Sequence, residues 1–274
     1  MKLKYRIVLF IFVGGILAFS ALYMLNSREP AHQGRPLTEW LADLDRHVSP
    51  SQSRKAEEAI RCIGTNALPQ LLRMLQTRDS AWKRKLIELE RKQSVIKLHF
   101  TTENQRHSRA LAGFKTLGAD AQPAVPVLIG WLENRGGPQL DSRTRMAAIA
   151  TLRELGPPAK SAIPALIEAL KENDARVQAY AAFALGAIGQ EPSMVVPALA
   201  ARLNDPDPVV RGNSVGALSK FGERAKAAVP ALERALYDTN GNVRSLARIA
   251  LRKIDPEGEA GPQEWRTLLN ARPE

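Results

Sequence analysis

The sequence predicts an all-α chain, a right-handed α-solenoid of stacked antiparallel helix pairs preceded by a single N-terminal transmembrane helix. Three observations predict it. The stretch SAIPALIEAL at 161–170 returns as AAVPALERAL at 227–236, with SMVVPALAARL at 193–203 between them, so the step is 33 residues. A repeat of that length signals stacked helical units, none of which buries its apolar face alone. The composition, 45% hydrophobic but only 5% aromatic, suits closely packed helices faced with Ala, Leu, Val and Ile. Finally, Ile7–Leu25 is a 19-residue run without a charge, behind Lys2, Lys4 and Arg6.

Residues 1–28 read as an uncleaved signal anchor. At about 1.5 Å of rise per residue, the run is long enough to cross roughly 30 Å of hydrocarbon. The basic flank keeps the N-terminus cytoplasmic, so the expected localisation is single-pass membrane with a periplasmic array. The alternative is a cleaved secretory signal, since Ala18-Phe19-Ser20 is an acceptable small-x-small site. Residues 29–51 read as a linker and a capping helix, GRPLTEWLADL at 34–44, with Thr38 near its start.

Residues 52–255 hold the repeats. A glycine closes each unit, at Gly64, Gly118, Gly156, Gly189 and Gly222, and Asp255 takes the sixth place. The steps between them are 54, 38, 33, 33 and 33 residues. Glycine enters the left-handed region that stops a helix without the strain other residues meet there. Proline follows at Pro69, Pro126, Pro164, Pro197 and Pro230, in a first helical turn that has no use for the missing N–H. From each proline apolar residues recur at +2, +3 and +6, as in Leu166, Ile167 and Leu170, but the last copy has Glu233 at +3. Asp141, Asp174, Asp207 and Asn240 stand fifteen residues before their closing positions, where they cap the second helix of each pair. That helix carries its own stripe, such as Val177, Ala181, Ala184, Leu185 and Ile188.

The 54-residue step accommodates an added basic helix at 80–100, whose Trp82, Leu86 and Leu89 are expected to pack on the first repeat. The 38-residue step holds a longer loop at 134–142. Residues 256–274 form a C-terminal cap and tail around GPQEWRTLL.

The text DPDPVVRGNSVGALSKFG followed by AAVPAL, with NVRSLARIALRKID as a weaker copy, resembles HEAT repeats, and more narrowly the short phycobilisome-lyase type. The whole chain is similar to membrane-anchored HEAT-repeat proteins of bacteria. The resemblance implies a binding surface on the concave face, lined by the second helices, and no particular activity. Two enzyme families with related repeats, bilin lyases and DNA glycosylases, give a minor alternative that the export signal argues against.

No catalytic template is present: no Gly-x-Ser-x-Gly, no Walker A loop, no Gly-x-Gly-x-x-Gly and no His-Glu-x-x-His. His32, His47, His99 and His107 form no close-spaced ligand pair, and the single Cys62 has no partner for an intramolecular disulfide. No catalytic, cofactor or metal site is therefore expected. Arg145, Arg211 and Arg244 share one repeat position and are read as a structural ladder, with Asp141–Arg145 and Asp207–Arg211 spaced for helix-surface pairs.

The net charge of +11 is unevenly spread. Residues 1–28 hold four of the 39 Lys and Arg and no acid. Residues 81–100 hold six bases, including Lys83, Arg84, Lys85, Arg91 and Lys92, against two acids. Nucleic acid is thus a disfavoured partner. A second basic set, Arg61, Lys115, Arg153 and Arg252, lies three residues before closing positions and is a candidate partner-binding ladder. The function expected is a non-enzymatic, membrane-tethered scaffold that binds a protein along its concave face. The alternative is a binder of an anionic polymer or lipid headgroups through the basic added helix.

Overall fold

The computed structural model describes residues 29–45, 49–92, 101–133 and 142–256. They begin with a two-stranded antiparallel ribbon, β1 (Ala31–His32) and β2 (Arg35–Pro36), turned by Gln33 and Gly34. Helix α1 (Leu37–Ala42) follows, and its Leu37 and Leu41 are fully buried at the head of the stack. Arg35 lies 4.3 Å over the Trp40 ring and pairs with Glu39 and Asp43. The Thr38 N–H donates to Glu29, so this turn is held from outside the helix.

The repeats alternate long and short helices. The long ones are α2 (Pro50–Ile63), α5 (Glu103–Leu117), α7 (Ser142–Leu155), α9 (Ala175–Ile188), α11 (Pro208–Phe221) and α13 (Gly241–Ile254). The short ones are α3 (Leu68–Gln76), α6 (Val125–Leu132), α8 (Ile163–Ala169), α10 (Pro192–Ala201) and α12 (Val229–Ala235). Between them the +2 and +6 leucines of the proline motif are buried, as Leu71, Leu75, Leu128, Leu132, Leu166 and Leu170 show. Each long helix stacks on the next long helix over more of its length than the short helices touch one another. A Cβ at Gly186 would lie 2.7 Å from the Ala217 Cα, so α9 and α11 meet almost backbone to backbone. The stack is therefore tighter on the long-helix side, and that side is the inner face.

The closing glycines all have positive φ, and they divide into two kinds. Gly189 is left-handed, at φ 62 and ψ 21. Gly64, Gly118, Gly156 and Gly222 have φ of 54 to 64 with ψ of −139 to −117, a region open essentially to glycine alone. In those four units the chain passes directly into a 3₁₀ turn before the next short helix. Asp255 closes α13 without positive φ, at φ −139 and ψ 71.

At the other end of the long helices, the Asp174 carboxylate accepts the N–H groups of Arg176 and Val177, and Asp207 accepts that of Val209. Asn240 accepts from Asn242 and Val243. Asp141 lies outside the described residues. Ser49 caps α2, and Thr102 caps α5 in a reciprocal box with Gln105.

The arginine ladder is built differently from the expected cap pairing. The Arg211 guanidinium grips Asp238 through two bonds of 2.7 Å, 27 residues ahead, rather than Asp207 four residues behind. Arg145 pairs with Glu172, and its expected neighbour Asp141 lies outside the described residues. The physical reason is that the Asp207 carboxylate already serves the backbone, while Arg211 lies on the side turned to the next unit. Arg211 also donates to the Asp205 carbonyl, and Arg244 donates to that of Asp238. The ladder thus stitches the turns between helices to the following repeat.

The added helix, α4 (Ala81–Lys92), stands on a charged clamp. Asp79 accepts from Lys83 and Arg106 at 2.8 Å each, and from the Glu103 N–H at 2.8 Å. Lys83 and Arg106 also donate to the Thr101 carbonyl, which brings both ends of the insertion together. Burial works to raise the Asp79 carboxyl, but these donors outweigh it and hold it at about 2. The expected packing of Trp82 on the first repeat is not what forms: its side chain is 63% exposed. The Leu89 side chain and residues 93–100 lie outside the described residues.

The last unit presents a polar end. Glu233 replaces the apolar residue of the other short helices, and Arg248 stands where Ala182 and Val215 stand in the two units before. Burial, with the Asp255 charge adding to it, pushes the Glu233 carboxyl up.

One expectation is overturned. Among the described residues no helix is long and apolar enough to cross a membrane, which corrects the single-pass, periplasmic localisation and the transmembrane element of the fold. The run Ile7–Leu25 itself, like the segment 257–274, lies outside the described residues.

Candidate functional site

On the inner face the long helices leave apolar side chains uncovered. Tyr180 and Phe183 of α9 are 42% and 37% exposed, Val209 of α11 is 59%, and Leu246 and Ile249 of α13 are 37% and 49%. Single exposed apolar residues are ordinary on any protein. These five share a surface: Tyr180 and Leu246 occupy one repeat position, Phe183 and Ile249 another, and α11 runs between them. At those two positions α11 carries Asn213 and Gly216, so the middle of the surface is low. A Cβ at Gly216 would meet nothing within 4 Å. Glycine inside a helix costs about 1 kcal/mol relative to alanine, and packing gives no reason for it here. Its effect is a groove floor, walled by Phe183 on one side and by Leu246 on the other.

The groove has three connected recesses. One, of about 400 Å³, lies between Arg153, Arg176, Tyr180, Phe183 and Val209. Another, of about 390 Å³, continues past Phe183 and Val209 to Gly216, Lys220 and Leu246. The third, also about 390 Å³, extends from Tyr180 and Arg176 across α7 to His107 and Leu111 of α5. The His107 Nε2 lies 2.6 Å from the Leu75 carbonyl oxygen and donates to it, which fixes the ring against the groove wall.

The electrostatics centre on Phe183. The Lys220 ammonium sits 4.6 Å and the Arg153 guanidinium 5.1 Å from the ring centroid, both within range of its negative face. Arg153 is also paired with Glu154. Burial depresses the Lys220 pKa, and the like charge of Arg153 depresses it further. Two cations therefore converge on one half-exposed aromatic ring.

Of the four residues in the candidate basic ladder, only Arg153 reaches this groove. Its repeat position faces the neighbouring helix, as Gly186 shows by touching Ala217. Arg61 is 60% exposed beside Glu57, while Lys115 and Arg252 are exposed on α5 and α13. Within the basic insertion, Lys83 is committed to the clamp at Asp79, and Arg84 and Lys85 point to solvent. The side chains of Arg91 and Lys92 lie outside the described residues. Cys62 is exposed on α2. Among the described residues no three His, Cys, Asp or Glu are grouped to hold a metal ion.

Sequence periodicity passed over Tyr180, Phe183, Gly216 and Lys220. The signal was present in α9, which is apolar on two faces rather than one. A helix with a single buried stripe has no need of aromatic residues opposite it.

Residues 163–252 match the family model of HEAT repeats, and residues 144–172 match that of the PBS lyase HEAT-like repeat. The chain carries HEAT-like repeats. The matches cover the helices α7 to α13 that carry most of the groove, whose third recess continues beyond them to α5. No curated protein matches the chain. Among solved structures, an engineered protein aligns at 17% identity and a TM-score of 0.43, over 80% of this chain and 96% of its own. A second engineered protein aligns at 16% and 0.39, over 80% and 68%. Human deoxyhypusine hydroxylase, in complex with glycerol, aligns at 19% and 0.36, over 87% and 90%.

Proposed function

We propose that this helical solenoid is a non-enzymatic scaffold that binds a segment of a partner protein in the inner groove of its HEAT-like repeats. The observation that carries the reading is the run of exposed apolar side chains Tyr180, Phe183, Val209 and Leu246 along adjoining recesses. Water meets that surface at a cost of about 25 cal/mol for each Å² left uncovered, and a docked segment removes the cost. The groove is also preformed. Its walls belong to long helices fixed by the core and by the arginine ladder, so binding need not order the receptor.

A photo-crosslinking residue tests this at Val209 in the groove and, for comparison, at Met194, which is 48% exposed on the short helix α10. In cells that make the protein, the Val209 crosslinker should capture a discrete partner band that the Met194 crosslinker does not. Equal capture at both sites, or none at Val209, contradicts the proposal.

A further inference from the structure

We infer that the segment the groove accepts is acidic, with a carboxylate seated at Lys220 beside an apolar side chain that covers Phe183. This rests on the groove being a protein-binding site and adds the chemistry of the occupant. The first observation is the charge of the groove-forming helices. Helices α7, α9, α11 and α13 together carry ten Lys and Arg and one acid, Glu154. Some of the ten serve the fold: Arg145 and Arg211 hold Glu172 and Asp238, and Arg244 holds turn carbonyls. The carboxylates at the opposite edge are also in use, because Asp174 and Asp207 accept the first N–H groups of their helices. Arg143, Arg153 and Arg176 in turn have Glu103, Glu154 and Asp174 beside them, so among the described cations that line the recesses Lys220 is the one with no carboxylate at hand.

The second observation is local. A basic residue in the last turn of any helix is favoured by the helix dipole. That preference does not explain why two of them, from α7 and α11, converge on the ring of Phe183 in the helix between them. The charge acting on Lys220 is that of Arg153, of like sign, and burial already disfavours its ammonium. An incoming carboxylate relieves both effects at Lys220, while Arg153 keeps its own pair with Glu154. Tyr180, Val209 and Leu246 then receive apolar side chains on either side of it. The occupant is thus an extended or helical peptide in which Asp or Glu flanks an aromatic or aliphatic residue.

A displayed library of short random peptides, selected on the full chain, tests the inference. The recovered sequences should be rich in Asp and Glu next to an apolar residue, and binding by fluorescence polarisation should weaken as salt screens the charges. Lys220→Glu should weaken these peptides by about tenfold or more, and changing the peptide acid to lysine should restore binding to that variant. Lys220 is solvent-exposed, so the reversal leaves the fold intact, which circular dichroism checks. Selection of neutral or basic peptides that still compete at the Val209 crosslinking site would overturn the acidic occupant and leave the scaffold reading standing. Peptides indifferent to Lys220→Glu would do the same. A single-stranded oligonucleotide that binds as tightly, with the same dependence on Lys220, would replace the peptide with a nucleic acid.

Discussion

The two ends of the array solve the same packing problem by different means. From Gly156 to Asp255 the units repeat every 33 residues, and neighbouring long helices meet through Gly186, Ala217 and other small side chains. Before Gly156 the steps are 54 and 38 residues, and the extra chain is held by charge: Asp79 with Lys83 and Arg106, Glu103 with Arg143, Asp45 with Arg109. The regular half can set side chains at one repeat position side by side along a surface, and its groove follows from that. The irregular half does so less, and most of its ion pairs close loops, although Glu103 and Arg143 also line the recess beside His107.

The comparison breaks most readily in the regular core. Leu185 is fully buried in α9 between two other long helices, so Leu185→Asp should cost more than about 4 kcal/mol. Thermal melts of the chain followed by circular dichroism will read this as loss of the cooperative transition. The next effect in size is in the ladder. Removing the guanidinium in Arg211→Met strands the Asp238 carboxylate, whose side chain is 8% exposed, and should cost about 3–5 kcal/mol by urea titration. The double change Arg211→Met with Asp238→Leu should recover most of the loss, because neither charge is then left buried alone.

In the irregular half, Asp79→Asn should cost about 1.5–3 kcal/mol by removing charge-assisted hydrogen bonds at the base of α4. It also has a pH signature. The Asp79 carboxyl is held at about 2 in the fold, below its ordinary 3.8, so its contribution is complete above about pH 4 and is lost as the pH falls toward 2. The Arg211 hydrogen bond lowers the Asp238 carboxyl and gives the regular half a loss of the same sign. Urea midpoints between pH 5 and 2 should therefore fall less steeply for the Asp79→Asn chain than for the parent.

Smaller still is the difference between two closing glycines. Alanine tolerates the left-handed conformation of Gly189 at about 1–2 kcal/mol, whereas the ψ of −139 at Gly222 is closed to it. Gly222→Ala should be less stable than Gly189→Ala by about 1 kcal/mol in the same melts. Least of all, Trp82→Ser on the exposed side of α4 should change stability by about 0.5 kcal/mol or less.

Much of the helical framework could be read from residues whose effects are local. Proline one turn into a short helix, glycine after a long one, and Asp174, Asp207 or Asn240 at a start each act on the backbone beside them. The Thr102–Gln105 box was equally local, but it stands one residue out of register because the insertion ends just before it. The groove was harder to read because it depends on the rotation of neighbouring helices. Arg61, Lys115, Arg153 and Arg252 look like an inward ladder when counted along the chain, yet Arg61, Lys115 and Arg252 are exposed away from the groove, and at Gly186 the same position lies against Ala217 of the adjacent helix. The groove lies one step round, at Phe183 and Gly216, with Leu246 as its far wall. The expected pairing of Arg211 with Asp207 failed for a similar reason, because four-residue spacing says nothing of a better carboxylate in the next repeat.

Gly216→Leu gives the most direct test of the claim that the groove exists for a partner. The change places a good helix former where an added side chain meets open space, so the melting temperature should stay level or rise. The same side chain fills the groove floor between Phe183 and Leu246. The account predicts that the Val209 crosslink to the partner disappears in this stable variant. A crosslink that persists undiminished would contradict it.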